Sequence, residues 1–127
     1  MSDSPYYDDL ETRDPEAREA ALFAALPGQI AHAKAKAPYF AEVLGDVDAD
    51  AVTSREALAT LPITRKSALI ERQKGDPPFG GLAAVGPAEF VRIFASPGPI
   101  YEPQGRRPDY WRFARGLYAA GPEARRS

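Results

Sequence analysis

The stretch Arg92-Ile93-Phe94-Ala95-Ser96-Pro97-Gly98-Pro99-Ile100-Tyr101-Glu102-Pro103 decides how this chain is read. Phe90 to Phe94 alternates and is rich in apolar and β-branched residues, which predicts a short strand. Glycine and proline recur from Ser96 to Pro108, which predicts a loop. Asp109 then stands as an N-cap ahead of an apolar stripe of Tyr110, Phe113, Ala114, Leu117 and Tyr118. Gly121 falls where a helix would end, at the C′ position. A strand, a Gly/Pro-rich loop and a capped helix make the layout of a phosphate-cradling loop, where backbone N–H groups and hydroxyls surround an anion.

Toward the N-terminus the pattern is helical. Asp14-Pro15 reads as an N-cap followed by proline at the first helical position, and Leu22, Phe23 and Leu26 supply the apolar stripe. Pro27 lacks a backbone N–H, so the helix is expected to kink or restart there and to run on to about Ala37. Pro38-Tyr39-Phe40 opens a further short turn running to Leu44. Thr53-Ser54-Arg55-Glu56 reads as a capping box with Thr53 as the cap, and Thr64 is expected to cap a helix from Arg65 to about Gln73. Gly75 to Pro87 is loop. The expected fold class is therefore mainly α with a short strand element. Phe90 to Phe94 has no second strand to pair with in this reading, so the domain is expected to be unfinished.

The chain has 127 residues, enough for one domain with a core, and no cysteine, which excludes disulfides and thiolate metal sites. No apolar run approaches the roughly 20 residues needed to span a bilayer. Residues 1–62 carry 12 acidic and 5 basic side chains, residues 63–127 carry 6 and 11, so the halves have net charges of −7 and +5. The basic half suits an anion such as a nucleotide or coenzyme, or is simply a solvated face. The cations are scattered and match no nucleic-acid-binding module.

Catalytic constellations are missing. His32 is the single histidine and has no carboxylate nearby in sequence, so it reads as structural or exposed. Asp8, Asp9 and Glu11 lie in a polar arm expected to be flexible, where paired-carboxylate chemistry has no rigid support. Asp46, Asp48 and Asp50 lack the glycine and closing glutamate of a calcium loop. Neither catalytic residues nor metal ligands are assigned.

From Tyr6-Tyr7-Asp8-Asp9-Leu10-Glu11-Thr12-Arg13 onward the chain resembles the N-terminus of the phenylacetate–CoA ligase-like branch of the adenylate-forming (AMP-dependent synthetase/ligase) enzymes. The resemblance continues through Gln29-Ile30-Ala31-His32-Ala33-Lys34, Ala37-Pro38-Tyr39-Phe40, Leu61-Pro62-Ile63-Thr64-Arg65-Lys66 and Pro78-Phe79-Gly80-Gly81-Leu82, and reaches Tyr110-Trp111-Arg112-Phe113-Ala114-Arg115. It implies the N-terminal portion of the α/β large domain of an acyl-CoA synthetase, incomplete here, over residues 14–121. Residues 1–13 would be a polar N-terminal arm and residues 122–127 a truncation or frameshift tail.

Such enzymes are cytoplasmic. They activate a small-molecule acid with ATP and magnesium to an acyl-adenylate, then pass the acyl group to coenzyme A. Their ribose-binding aspartate, hinge and lid lysine would lie beyond this chain. Their phosphate loop reads Ser-Ser-Gly-Thr-Thr-Gly-x-Pro. On this chain Ser96, Gly98 and Pro103 match, so Ser96 and Gly98 are the expected remnant of a cofactor-binding loop. Pro97, Pro99, Ile100 and Tyr101 depart from the pattern, removing N–H donors, hydroxyls and a glycine. This degenerate loop would hold ATP poorly. The chain alone is therefore expected to be inactive, to bind no cofactor, and to self-associate through exposed apolar faces. The alternative is a small helical protein-interaction module without catalysis, which the unmatched strand and aromatic stripe also suit.

Overall fold

In a computed structural model, the structure describes residues 4–121. The tail expected at 122–127 lies outside the described residues. The elements in order are α1 (Pro15–Lys36), α2 (Pro38–Val43), α3 (Arg55–Ala59), α4 (Lys66–Gly75), β1 (Phe90–Ser96), β2 (Ile100–Gly105) and α5 (Ala114–Ala119), with short 3-10 turns at Asp9–Glu11, Ala49–Ala51 and Pro87–Glu89.

Helix α1 starts as its sequence dictates. Asp14 accepts hydrogen bonds from the N–H groups of Glu16 and Ala17, and Pro15 fills the first turn. The expected break at Pro27 does not occur: α1 runs unbroken for 22 residues. Proline forfeits the bond to the Phe23 carbonyl, but Leu26 before it and Ile30 after it pack into one core, which holds both halves in line. That core is Ile30, Leu44 and Val52, surrounded by Leu26, Phe40, Val43, Val47, Ala49, Ala57 and Leu61. Lys34 closes its rim, donating from Nζ to the carbonyls of Gly45 (3.2 Å) and Val47 (2.5 Å).

The two threonine caps are also corrected. Ser54, not Thr53, caps α3, because its backbone is extended and its Oγ accepts the Ala57 N–H at 3.1 Å. Helix α4 begins at Lys66 without a side-chain cap, and Thr64 Oγ1 instead accepts the Tyr39 hydroxyl at 3.2 Å.

The largest departure is in the strand. The predicted loop after Ser96 contains β2, which pairs antiparallel with β1 in the register Arg92↔Gln104, Phe94↔Glu102 and Ser96↔Ile100. The expected lone strand is thus half of a hairpin, and one sign of an unfinished domain is removed. Residues 91–95 of β1 are all exposed, and β1 pairs only with β2 among the described residues. The buried apolar residues are only Ile30, Ala37, Leu44, Val52, Phe79 and Ile100 among those described.

The outer edge of β2 is met by a side chain. Buried Gln73 of α4 donates from Nε2 to the Tyr101 carbonyl (3.0 Å) and accepts the Tyr101 N–H on Oε1 (2.8 Å). An amide thus replaces one rung of a neighbouring strand. Gly80, at φ +63°, brings the following turn against Arg72 and Gln73, and its carbonyl accepts Arg72 Nε at 3.1 Å. Phe79 meets Phe90 edge-to-face at 5.2 Å, joining that turn to β1.

Candidate functional site

The loop singled out in the sequence is a tight hairpin turn, not a loop leading into a capped helix. Ser96 and Ile100 close it as partners in the ladder, with Ser96 Oγ donating to the Ile100 carbonyl at 3.4 Å. Gly98 packs on Ile70: a Cβ at residue 98 would lie 3.3 Å from Ile70 Cδ1. Pro97 and Pro99 have no N–H to offer. Between the strand ends only Gly98 retains a backbone donor, so this turn does not fit a polyphosphate cradle, and no chemical step is routed through it.

The substantial concavity lies on the other side of the hairpin. It is a cleft of about 870 Å³, walled by Gln29 and His32 of α1, Leu69 of α4, the loop 82–85, residues 100–103 and 105 of β2, and Arg106, Arg107, Tyr110 and Trp111. Such a volume suits a small organic ligand. Ser96 and Gly98 do not line it, whereas His32, which the sequence suggests is structural or exposed, does.

The aromatic wall is set by local backbone chemistry. Helix α5 begins at Ala114, later than its apolar stripe suggests, because Asp109 and Arg112 adopt positive φ (48° and 57°) and form a turn ahead of it. The N-cap position falls to Phe113, which has no side-chain cap bond, and the expected cap Asp109 instead sits in the preceding turn and accepts the Ala114 N–H on Oδ1 at 3.1 Å. The turn swings Tyr110 onto Gly105 of β2, where a Cβ would come within 3.0 Å of the ring. Tyr110 meets Trp111 edge-to-face at 5.0 Å, and Trp111 meets Phe94 at 6.0 Å. Gly121 ends α5 with φ +101°, as expected.

The cleft is lined by both apolar side chains (Leu69, Leu82, Val85) and polar ones (Gln29, His32, Glu89, Glu102, Arg106, Arg107). This arrangement can bind and orient an amphipathic molecule. Among the described residues no hydrogen bond joins a nucleophile to a base there, and no group of three or more His, Asp or Glu could hold a metal. The sequence signal for the cleft was the cluster Arg106-Arg107 with Tyr110-Trp111, which a helical-stripe reading absorbs into a core.

The N-terminal arm, expected to be flexible, is docked. Arg115 donates to Asp8 from Nη2 (2.5 Å) and Nε (3.3 Å), Tyr7 meets Tyr118 edge-to-face at 5.7 Å, and the Tyr118 hydroxyl donates to the Ser4 carbonyl. The Arg115 hydrogen bond, partly opposed by desolvation, holds the Asp8 carboxyl below its ordinary range, and Asp8 correspondingly raises Arg115.

No protein-family model matches the sequence, and no curated protein does. Solved structures do match. One is 2-hydroxyisobutyryl-CoA ligase in the postadenylation state with its acyl-adenylate, 2-HIB-AMP: 25% identity, TM-score 0.76, covering 84% of this chain and 23% of that one. The same ligase in an open conformation, with 2-HIB-AMP and CoA, matches at 25% identity and TM-score 0.76 over 84% of this chain and 24% of that one. Over most of its length the chain has the fold of an adenylate-forming CoA ligase. The ligase in its thioesterification state, with 2-HIB-AMP and CoA, aligns with TM-score 0.73 at 24% identity. The chain spans about a quarter of the length of the ligase structures it matches. Among the described residues no helix is long and apolar enough to cross a membrane.

Proposed function

We propose that this chain is the N-terminal segment of an acyl-CoA ligase of the phenylacetate–CoA ligase-like branch. The whole enzyme would join a carboxylic acid to coenzyme A through an acyl-adenylate, with ATP and magnesium. The observation that carries this reading is the structural match to a CoA ligase that holds its acyl-adenylate. The branch rests on the sequence blocks from Tyr6-Tyr7-Asp8 to Tyr110-Trp111-Arg112. Within the whole enzyme, the apolar strand β1 and the open cleft would be covered by the remaining polypeptide, and nucleotide contacts would come from segments other than the turn at Ser96–Ile100.

By itself the chain completes neither half-reaction. Acceleration requires groups placed to stabilise the transition state, and the cleft alone offers binding without them. The test combines the purified chain with ATP, magnesium, CoA and either phenylacetate or 2-hydroxyisobutyrate. Pyrophosphate release and thioester formation are followed by coupled assay and mass spectrometry. The expected result is no turnover above background, and turnover by the chain alone would refute the inactivity. Reading the DNA that follows the coding region tests the parentage. A frame encoding the ribose-binding aspartate and lid lysine supports the ligase, whereas unrelated DNA favours a helical interaction module, to which the exposed β1 would then belong.

A further inference from the structure

We propose that a second concavity, formed by Tyr7, Arg107, Pro108, Asp109, Arg112 and Arg115, is a binding site for a phosphate dianion. It is a hollow of about 210 Å³ beside the docked arm, separate in its lining from the large cleft except for Arg107. Three arginines line it, and their charges are unequally balanced. Arg115 is paired with Asp8, and the Asp109 carboxylate, which accepts the Ala114 N–H, keeps its charge but is outnumbered by Arg107 and Arg112. Arg107 lies over the Tyr110 ring at 5.6 Å, an interaction that leaves its charge in place. Arg112 has no carboxylate partner among the described residues. Planar, permanently charged forks of this kind match the oxygens of a phosphate group.

Backbone conformation adds a separate reason. Arg112 adopts φ 57°, a region costly for a residue with a Cβ and free of that cost for glycine. Stability alone would favour glycine there. A long cationic side chain at this position, in a hollow also lined by Arg107 and Arg115, is explained by an anion. The turn is fixed by the Arg112 N–H donating to the Asp109 carbonyl at 2.9 Å, so the guanidinium projects from a defined base.

The chemistry recognised is a doubly charged phosphate oxygen cluster, whether free phosphate or the phosphomonoester end of a nucleotide. The test titrates the intact 127-residue chain with inorganic phosphate at constant ionic strength, followed by amide NMR. Saturable shifts are expected at residues 107–115, and none with chloride. Adenosine 3′-phosphate in a parallel titration identifies the source: tighter binding than phosphate indicates a nucleotide, and equal binding indicates the free ion. Arg112→Gly removes the cation while relieving the backbone, so it should weaken binding about tenfold without lowering the melting temperature. Arg112→Gln, which keeps the native backbone demand, should weaken binding equally. Unshifted amides at 107–115, or a Gln variant that binds like the parent, would overturn the site.

Discussion

Replacing Gln73 by leucine should loosen the hairpin from the helical layer by a measurable amount. The side chain is buried and makes two hydrogen bonds to Tyr101, at 3.0 Å and 2.8 Å, which tie α4 to β2. Leucine has a similar volume, so little cavity forms, and the loss is chiefly polar. Each bond contributes about 1 kcal/mol, and a Tyr101 backbone group left partly dry adds up to about 1 more, giving ~2–3 kcal/mol. For a chain of 127 residues the unfolding entropy converts this to a melting-temperature fall of about 7–11 °C. Urea and thermal melts measure the global cost. Amide exchange at Tyr101 reads the local one, expected to quicken by about 30- to 140-fold. Gln73→Glu refines the test. Its carboxylate would face the Tyr101 carbonyl in a buried site, so its folded pKa should rise above the usual carboxylate value of about 4.3. The variant should therefore be most stable below that value and lose stability as pH rises through the raised one. A leucine variant that melts within a degree of the parent, with Tyr101 exchange unchanged, would refute the assigned role of this amide.

Three further outcomes are expected. Asp8 has a lowered carboxyl pKa in the folded state, so its pairing with Arg115 is fully present above the ordinary value near 3.8 and is lost as pH falls through the lowered one. Asp8→Asn should abolish that acid transition, seen as the Tyr7–Tyr118 contact by NMR. Gly80→Ala should destabilise by about 1–3 kcal/mol, because a Cβ there would sit 2.8 Å from Arg72 Cγ and 3.1 Å from the Gln73 nitrogen at a φ of +63°; urea melts give the number. Ile93→Lys in exposed β1 should reduce self-association and dye binding to apolar surface without lowering the melting temperature, as checked by light scattering and fluorescence.

Much of the helical layer was legible because its signals are local. Asp14-Pro15 starts α1, Pro38 opens α2 and Gly121 closes α5, each through the backbone properties of one or two residues. The errors came where distant residues arbitrate. Pro27 should break a helix on its own, yet Leu26 and Ile30 meet the same partners from beyond it. Thr64 is a plausible cap until Tyr39 takes its hydroxyl, and adjacent Thr53 and Ser54 compete for a role only the tertiary path assigns. Strand β2 was hidden by its composition, since Pro103 and Gly105 read as loop residues although Ile100 and Tyr101 suit a strand. The cleft was least legible, because His32, Tyr101 and Trp111 converge from elements with no shared sequence pattern.

The seating of residues 4–13 on α5 bears on how the molecule is assembled in time. Asp8 and Arg115 are 107 positions apart, so their meeting closes a loop that takes in every helix and strand between them. Closure entropy grows only slowly with length, but it is recovered only once both ends are held by structure between them. During synthesis residues 4–13 would thus find this place only after α5 has emerged. Protease susceptibility near Arg13 would then report this docking, falling when α5 has formed.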